Sequence, residues 1–101
     1  MLSLEETVTR AVDTVLDGRG EYFWDRNGNI YHLEPLWKFD GDKNVNKGRY
    51  IYALRFSSGH EVHDGIITKH KYDDILSASY GREKLISLIL DMVEWRERND
   101  I

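Results

Sequence analysis

Glu21-Tyr22-Phe23-Trp24-Asp25-Arg26-Asn27-Gly28-Asn29-Ile30-Tyr31-His32-Leu33-Glu34-Pro35-Leu36-Trp37 sets Asn27-Gly28 between two aromatic runs. Asn-Gly supplies the two positive-φ residues of a type I′ turn, whose twist matches that of paired strands. The spacing predicts a tight β-hairpin, residues 21–25 against 30–33. In that register Trp24 faces Tyr31 and Tyr22 faces Leu33, and these four make the buried side. Phe23, Asp25, Ile30 and His32 fall on the other, partly wet side. Pro35 cannot donate to a ladder, so pairing on that side stops there or the strand lies at an edge.

Working outward, the first helix is expected over 4–17. Ser3 is its N-cap, and Glu6 completes a capping box. Leu4, Val8, Ala11, Val12, Val15 and Leu16 repeat at helical spacing. Gly18 is placed for the left-handed C′ position. After the hairpin, 38–48 reads as a polar, Gly- and Asn-rich loop. Residues 49–56 alternate as a third strand, with Tyr50, Tyr52, Leu54 and Phe56 on one side. A three-residue turn, Ser57-Ser58-Gly59, then sets Leu54 opposite Val62 and Arg55 opposite Glu61. A two-residue turn would mismatch them. A fourth strand follows from about 60 to 64.

Thr68 is a candidate N-cap for a helix over 69–80, with Tyr72, Ile75 and Leu76 on its apolar side. Gly81 ends it. A last helix is expected over 82–98, and its apolar residues exceed what one stripe can hold. That helix is either buried on all sides or carries a second apolar face, which makes a homodimer through 82–98 an expectation. The order αββββαα predicts an α+β fold: one antiparallel four-stranded sheet built from two hairpins, with an N-terminal helix and two C-terminal helices on one face.

A chain of 101 residues with 41% hydrophobic and 32% charged content reads as a single globular domain, 1–101. It has no cysteine, which excludes disulfides and thiolate metal sites. The N-terminus lacks the basic and apolar regions of a signal peptide, and the apolar run 85–93 is too short to span a membrane. A cytoplasmic location is expected. The net charge of −4 is uneven. Residues 1–42 carry four basic and nine acidic groups, 43–71 six and two, and 72–101 four and seven.

Three sets of residues could carry function. Trp37 follows Pro35 and opens the polar loop, so it is the least constrained tryptophan. With Phe39, Tyr31, Asp40 and Asp42 it forms the candidate partner-binding set. Packing down over the sheet edge is the competing reading of Trp37. Trp24 is assigned to the core by its pairing, and Trp95, near the end of the last helix, to its seal. The basic segment supplies Lys43, Lys47, Arg49, Arg55, Lys69 and Lys71 around Tyr50 and Tyr52. Such a set could grip phosphates while rings stack on bases. His60, His63, Asp64 and His70 offer imidazole and carboxylate ligands to a divalent metal, or proton-transfer groups for a small hydrolase. Residues three apart on a strand point to opposite faces, so His60 and His63 converge only across a bend.

No nucleophile elbow, phosphate-binding loop, dinucleotide glycine pattern or zinc-protease motif is present in the sequence. No catalytic residue and no cofactor are assigned. Size, composition and the empty motif search fit a small protein-binding module without catalytic activity. Phage-encoded inhibitors, anti-defence proteins and immunity partners share that bulk character, and each acts by occluding a partner surface. A nucleic-acid-binding domain and a small metal-dependent hydrolase are the alternatives.

Overall fold

The computed structural model describes residues 2–45, 47–58, 61–64, 66–69 and 72–99, by backbone alone at 38–40, 42, 43, 48–52, 61–63, 66–69, 72 and 73. Helix α1 runs Leu4–Leu16. Its capping box forms as the sequence predicts: the Glu6 backbone N–H donates to Ser3 Oγ at 3.1 Å, and the Ser3 N–H to Glu6 Oε1 at 3.5 Å. Gly18, at φ 90°, closes a Schellman turn in which Gly18 N–H reaches the Val15 carbonyl and Arg19 N–H the Thr14 carbonyl. Val8, Ala11, Val12 and Val15 are fully buried.

Strand β1, Glu21–Trp24, pairs antiparallel with β2, Ile30–Asp42. The register differs from the predicted one. Trp24 faces Ile30, Phe23 faces Tyr31, Tyr22 faces His32 and Glu21 faces Leu33. Asp25 is the cause. Its carboxylate accepts from the backbone N–H groups of Asn27 and Asn29, and its own N–H donates to the Asn29 carbonyl. Residues 25–29 thereby become a wider loop, with Gly28 at φ 85° inside it. A slip of one residue turns a strand over. Phe23 is therefore buried while Tyr22 and Trp24 face outward, and Trp24, expected in the core, is 55% exposed.

The polar loop expected at 38–48 is instead continuous ladder. β2 extends to Asp42, a 3₁₀ turn covers Lys43–Val45, and β3 runs Lys47–Ser58. The second predicted hairpin is also replaced. Leu54 pairs with Pro35 on one side and Leu76 on the other, not with Val62, and Arg55 pairs with Glu34 and Ile75, not Glu61. Strands β4, Glu61–His63, and β5, Ile66–Lys69, pair with each other as a separate two-stranded ribbon. Asp64 follows β4 at φ 52°, a conformation Asp tolerates better than most side chains.

The helix predicted over 69–80 does not form. β6, Tyr72–Ser77, joins the sheet beside β3, and a 3₁₀ turn follows at Ala78–Tyr80. Tyr72, Ile75 and Leu76 fit a helical stripe, but as a strand Leu76 meets Leu54 in register and residues 53–58 gain partners along their open edge. Satisfying that row of backbone groups overrides local spacing. The main sheet thus has the order β1-β2-β3-β6, all antiparallel. Pairing with β1 ends at Leu33, two residues before Pro35, so the proline stands where β2 has become an edge.

Helix α2, Arg82–Asn99, covers the same face as α1. Leu85, Ile86, Ile89 and Val93 join α1's stripe and Phe23, Tyr31, Leu33, Leu54 and Phe56 in one core. The three central rings stack, Phe23 on Tyr31 at 5.2 Å and Tyr31 on Phe56 at 5.7 Å. Arg82 pairs with Asp13 of α1 at 2.6 Å, and Arg26 pairs with Glu97 at 2.7 Å, tying each end of α2 to a neighbour. The architecture is α+β with two helices rather than three on one sheet face. Trp95, expected to seal the core, is instead 49% exposed. Among the described residues no helix is long and apolar enough to cross a membrane.

Candidate functional site

Two strands outrun the rest of the sheet. β1 pairs only with 30–33 and β6 only with 53–58. From the Trp37–Tyr52 pair to the Asp42–Lys47 pair, β2 and β3 have only each other as ladder partners among the described residues. Those six facing pairs make a two-stranded ribbon about 17–20 Å long, at roughly 3.4 Å per residue. The molecule is correspondingly elongated, 48 × 31 × 24 Å, with a radius of gyration of 14.8 Å against about 13 Å for a compact 100-residue chain.

Trp37 stands at the root of this ribbon, on the alternation that carries Tyr31, Leu33 and Pro35 along the helix-covered face. The end of α1 lies beside it: Leu16, Asp17 and Gly18 share a shallow depression with Pro35 and Trp37. The indole therefore sits where the helical layer stops. It is 65% exposed, the most exposed large apolar side chain among the described residues. The register continues the pattern past it, setting Phe39 opposite Tyr50 and Asp40 opposite Arg49. Phe39, Asp40 and Asp42 are placed on the ribbon by backbone, and their side chains lie outside the described residues.

Tyr31 has no exposed surface and cannot meet a partner. Its hydroxyl donates to Asp25 Oδ2 at 2.8 Å from inside the core. Burial and the adjacent carboxylate together push the phenol far above its usual range. At Asp25, burial works to raise the carboxyl, but hydrogen bonds from Asn29, Tyr31 and Asn27 outweigh it and leave the group below the ordinary value. This network builds the loop. The signal for it was in the sequence: an Asp opening a loop with Asn two and four residues on is suited to capping that loop's own backbone.

Of the basic residues in 43–71, only Arg55 and Lys47 have described side chains, and these two stand far apart. Arg55 lies on the four-stranded part, its Nη1 3.5 Å from Glu34 Oε1. Lys47 is exposed eight residues away along β3, about 27 Å at the strand's rise. Lys43 and Arg49 are placed by backbone on the ribbon and Lys69 at the end of β5, while Lys71 lies outside the described residues. Of the histidine set, Asp64 is exposed and His63 ends β4, whereas His60 and His70 lie outside the described residues. Among the described residues no group of three or more His, Asp or Glu could hold a metal ion. Set against protein-family models, curated proteins and solved structures, the chain finds no match.

Proposed function

We propose that this protein is a binding module that acts on another protein by occlusion, using the two-stranded end of β2–β3 with Trp37 as its anchor. The observation that carries the reading is the exposed indole at the root of a ribbon that outruns both neighbouring strands. A two-stranded ribbon is only marginally stable alone in water. An exposed tryptophan beside it adds surface that water disfavours. Burial against a partner answers both. Tryptophan is also a frequent interface hot spot, because a large rigid ring loses little entropy on docking.

The proposed class is an inhibitor or immunity-type protein that works by covering a surface. Asp40 and Asp42 lie on the same ribbon, on the alternation opposite to that of Trp37 and in register with Arg49 and Lys47. The test is affinity capture from the native cell with wild-type protein and with Trp37→Ala. A half-exposed ring contributes little to folding, so the variant should melt within a few degrees of wild type. Loss of a hot-spot tryptophan costs about 2–4 kcal/mol of binding, roughly thirty- to a thousandfold. Capture that survives the substitution, or a variant that unfolds, refutes the assignment of Trp37 as the anchor.

A further inference from the structure

A second concavity lies away from the ribbon, between α2 and the β3–β6 half of the sheet. It measures about 410 Å³, within the roughly 300–1,000 Å³ of small-molecule sites. Phe56 and Ser58 of β3 form its floor, and Asp74 of β6 forms one wall. Met92 and Trp95, one turn apart on α2, form the other, with Asp91 beside them. The half-exposed indole of Trp95, which the core does not use, belongs to this cleft.

The carboxylates give the cleft its character. Asp74 pairs with Phe56, and Leu76 pairs with Leu54, so strand alternation places Asp74 on the helix-covered face where an apolar residue is the rule. Asp74 and Asp91 are both exposed and make no ion pair among the described residues. Arg96 also lines the cleft, so two carboxylates and one guanidinium face it. The cleft is thus a mostly apolar slot whose lining carries one more negative than positive group and includes the indole of Trp95.

We propose that this cleft binds a small organic cation with an aromatic or apolar body. The body lies among Phe56, Met92 and Trp95, and a protonated amine meets Asp74 and Asp91, with the indole of Trp95 adding cation–π attraction. A neutral or anionic molecule of the same shape lacks that complement. An inward-facing charge can also serve only to discourage edge-to-edge pairing of β6, and in that case no amine binds.

The test titrates the whole protein with tryptamine and, separately, with indole-3-propionate, which carries the same ring and the opposite charge. Amide shifts in the NMR spectrum locate the site, and calorimetry gives the affinity. Saturable tryptamine binding that moves α2 and β3–β6 signals, roughly tenfold or more tighter than the acid, is expected. Asp74→Asn and Asp91→Asn should each weaken it about two- to fivefold, as exposed charge pairs do, with melting temperature unchanged. Trp37→Ala should bind tryptamine as wild type does, which separates this site from the ribbon. Equal binding of amine and acid, unaltered affinity in both Asn variants, or no saturation at millimolar tryptamine overturns the proposal.

Discussion

Asp25→Ala should cost far more stability than its place in a surface hairpin suggests. The side chain is 7% exposed and accepts four hydrogen bonds, from Asn27 N–H, Asn29 N–H, Asn29 Nδ2 and the Tyr31 hydroxyl, at 2.8–2.9 Å. The loop donors can turn to water, so each loses only about 1 kcal/mol. Tyr31 cannot turn, because it is fully buried, and its orphaned hydroxyl carries the desolvation penalty of about 1–3 kcal/mol. Relief of burying a charge offsets part of this. The net is a loss of about 2–4 kcal/mol, a large share of the roughly 5–15 kcal/mol that holds a domain together. At roughly 4–8 °C per kcal/mol, the melting temperature should fall by about 10–25 °C.

The companion variant is Tyr31→Phe, which leaves Asp25 three of its donors and should cost only about 1 kcal/mol. Urea denaturation of the two single variants and the double variant closes a cycle. If Asp25 and Tyr31 act as described, Tyr31→Phe costs nothing in the Asp25→Ala background, because the hydroxyl it removes is already unsatisfied. Simple additivity, or an Asp25→Ala loss below about 1 kcal/mol, refutes the claim that this carboxylate holds the hairpin in its register.

Acid should unfold the protein through the same loop. Asp25 and Glu97 both titrate below their usual values in the fold, so on acidification the unfolded chain takes up protons first. Their stabilisation is complete above the unfolded carboxylate values, about 4, and drains away as pH falls through the lower folded ones. Melting temperature against pH should slope downward on the acid side, and Asp25→Asn should flatten that slope; an unchanged slope contradicts the assignment. Phe23→Ala should cost about 3–5 kcal/mol as a buried ring, and Trp24→Ala under about 1 kcal/mol, measured by chemical denaturation. The reverse order would restore the tight-turn register.

Both helices were legible because their signals are local. Ser3 with Glu6, the Val8-Ala11-Val12-Val15 stripe and Gly18 act within a turn or two of chain, and no distant contact can change their meaning. The run 82–98 declared itself by the density of its apolar positions. Misreadings cluster where a local signal was compatible with two partners. The Asn27-Gly28 type I′ turn does not form: of the two residues only Gly28 takes positive φ, the turn closes from Gly28 N–H to the Asp25 carbonyl, and the Asp25 carboxylate caps the wider loop that reverses β1. Tyr72, Ile75 and Leu76 satisfy either period, and the open edge of β3, a feature many residues away, decides between them. Trp37 is exposed for a reason other than the loop expected after it: it lies within the β2–β3 ladder, beside the end of α1, where the helical layer stops. The cleft beside Trp95 was not legible, because it depends on how α2 crosses a strand the sequence presents as helix.

β2 and β3 run without interruption from the aromatic stack of the core to the 3₁₀ turn at the far tip. A clamp closed on the outer rungs therefore stitches together the two central strands of the main sheet. Occupancy at the tip should slow amide exchange at Ala53 and Leu54, where a ligand touches nothing. Force applied at the tip would part the rungs one by one like a zipper, so a partner gripping it would read the solidity of the whole fold.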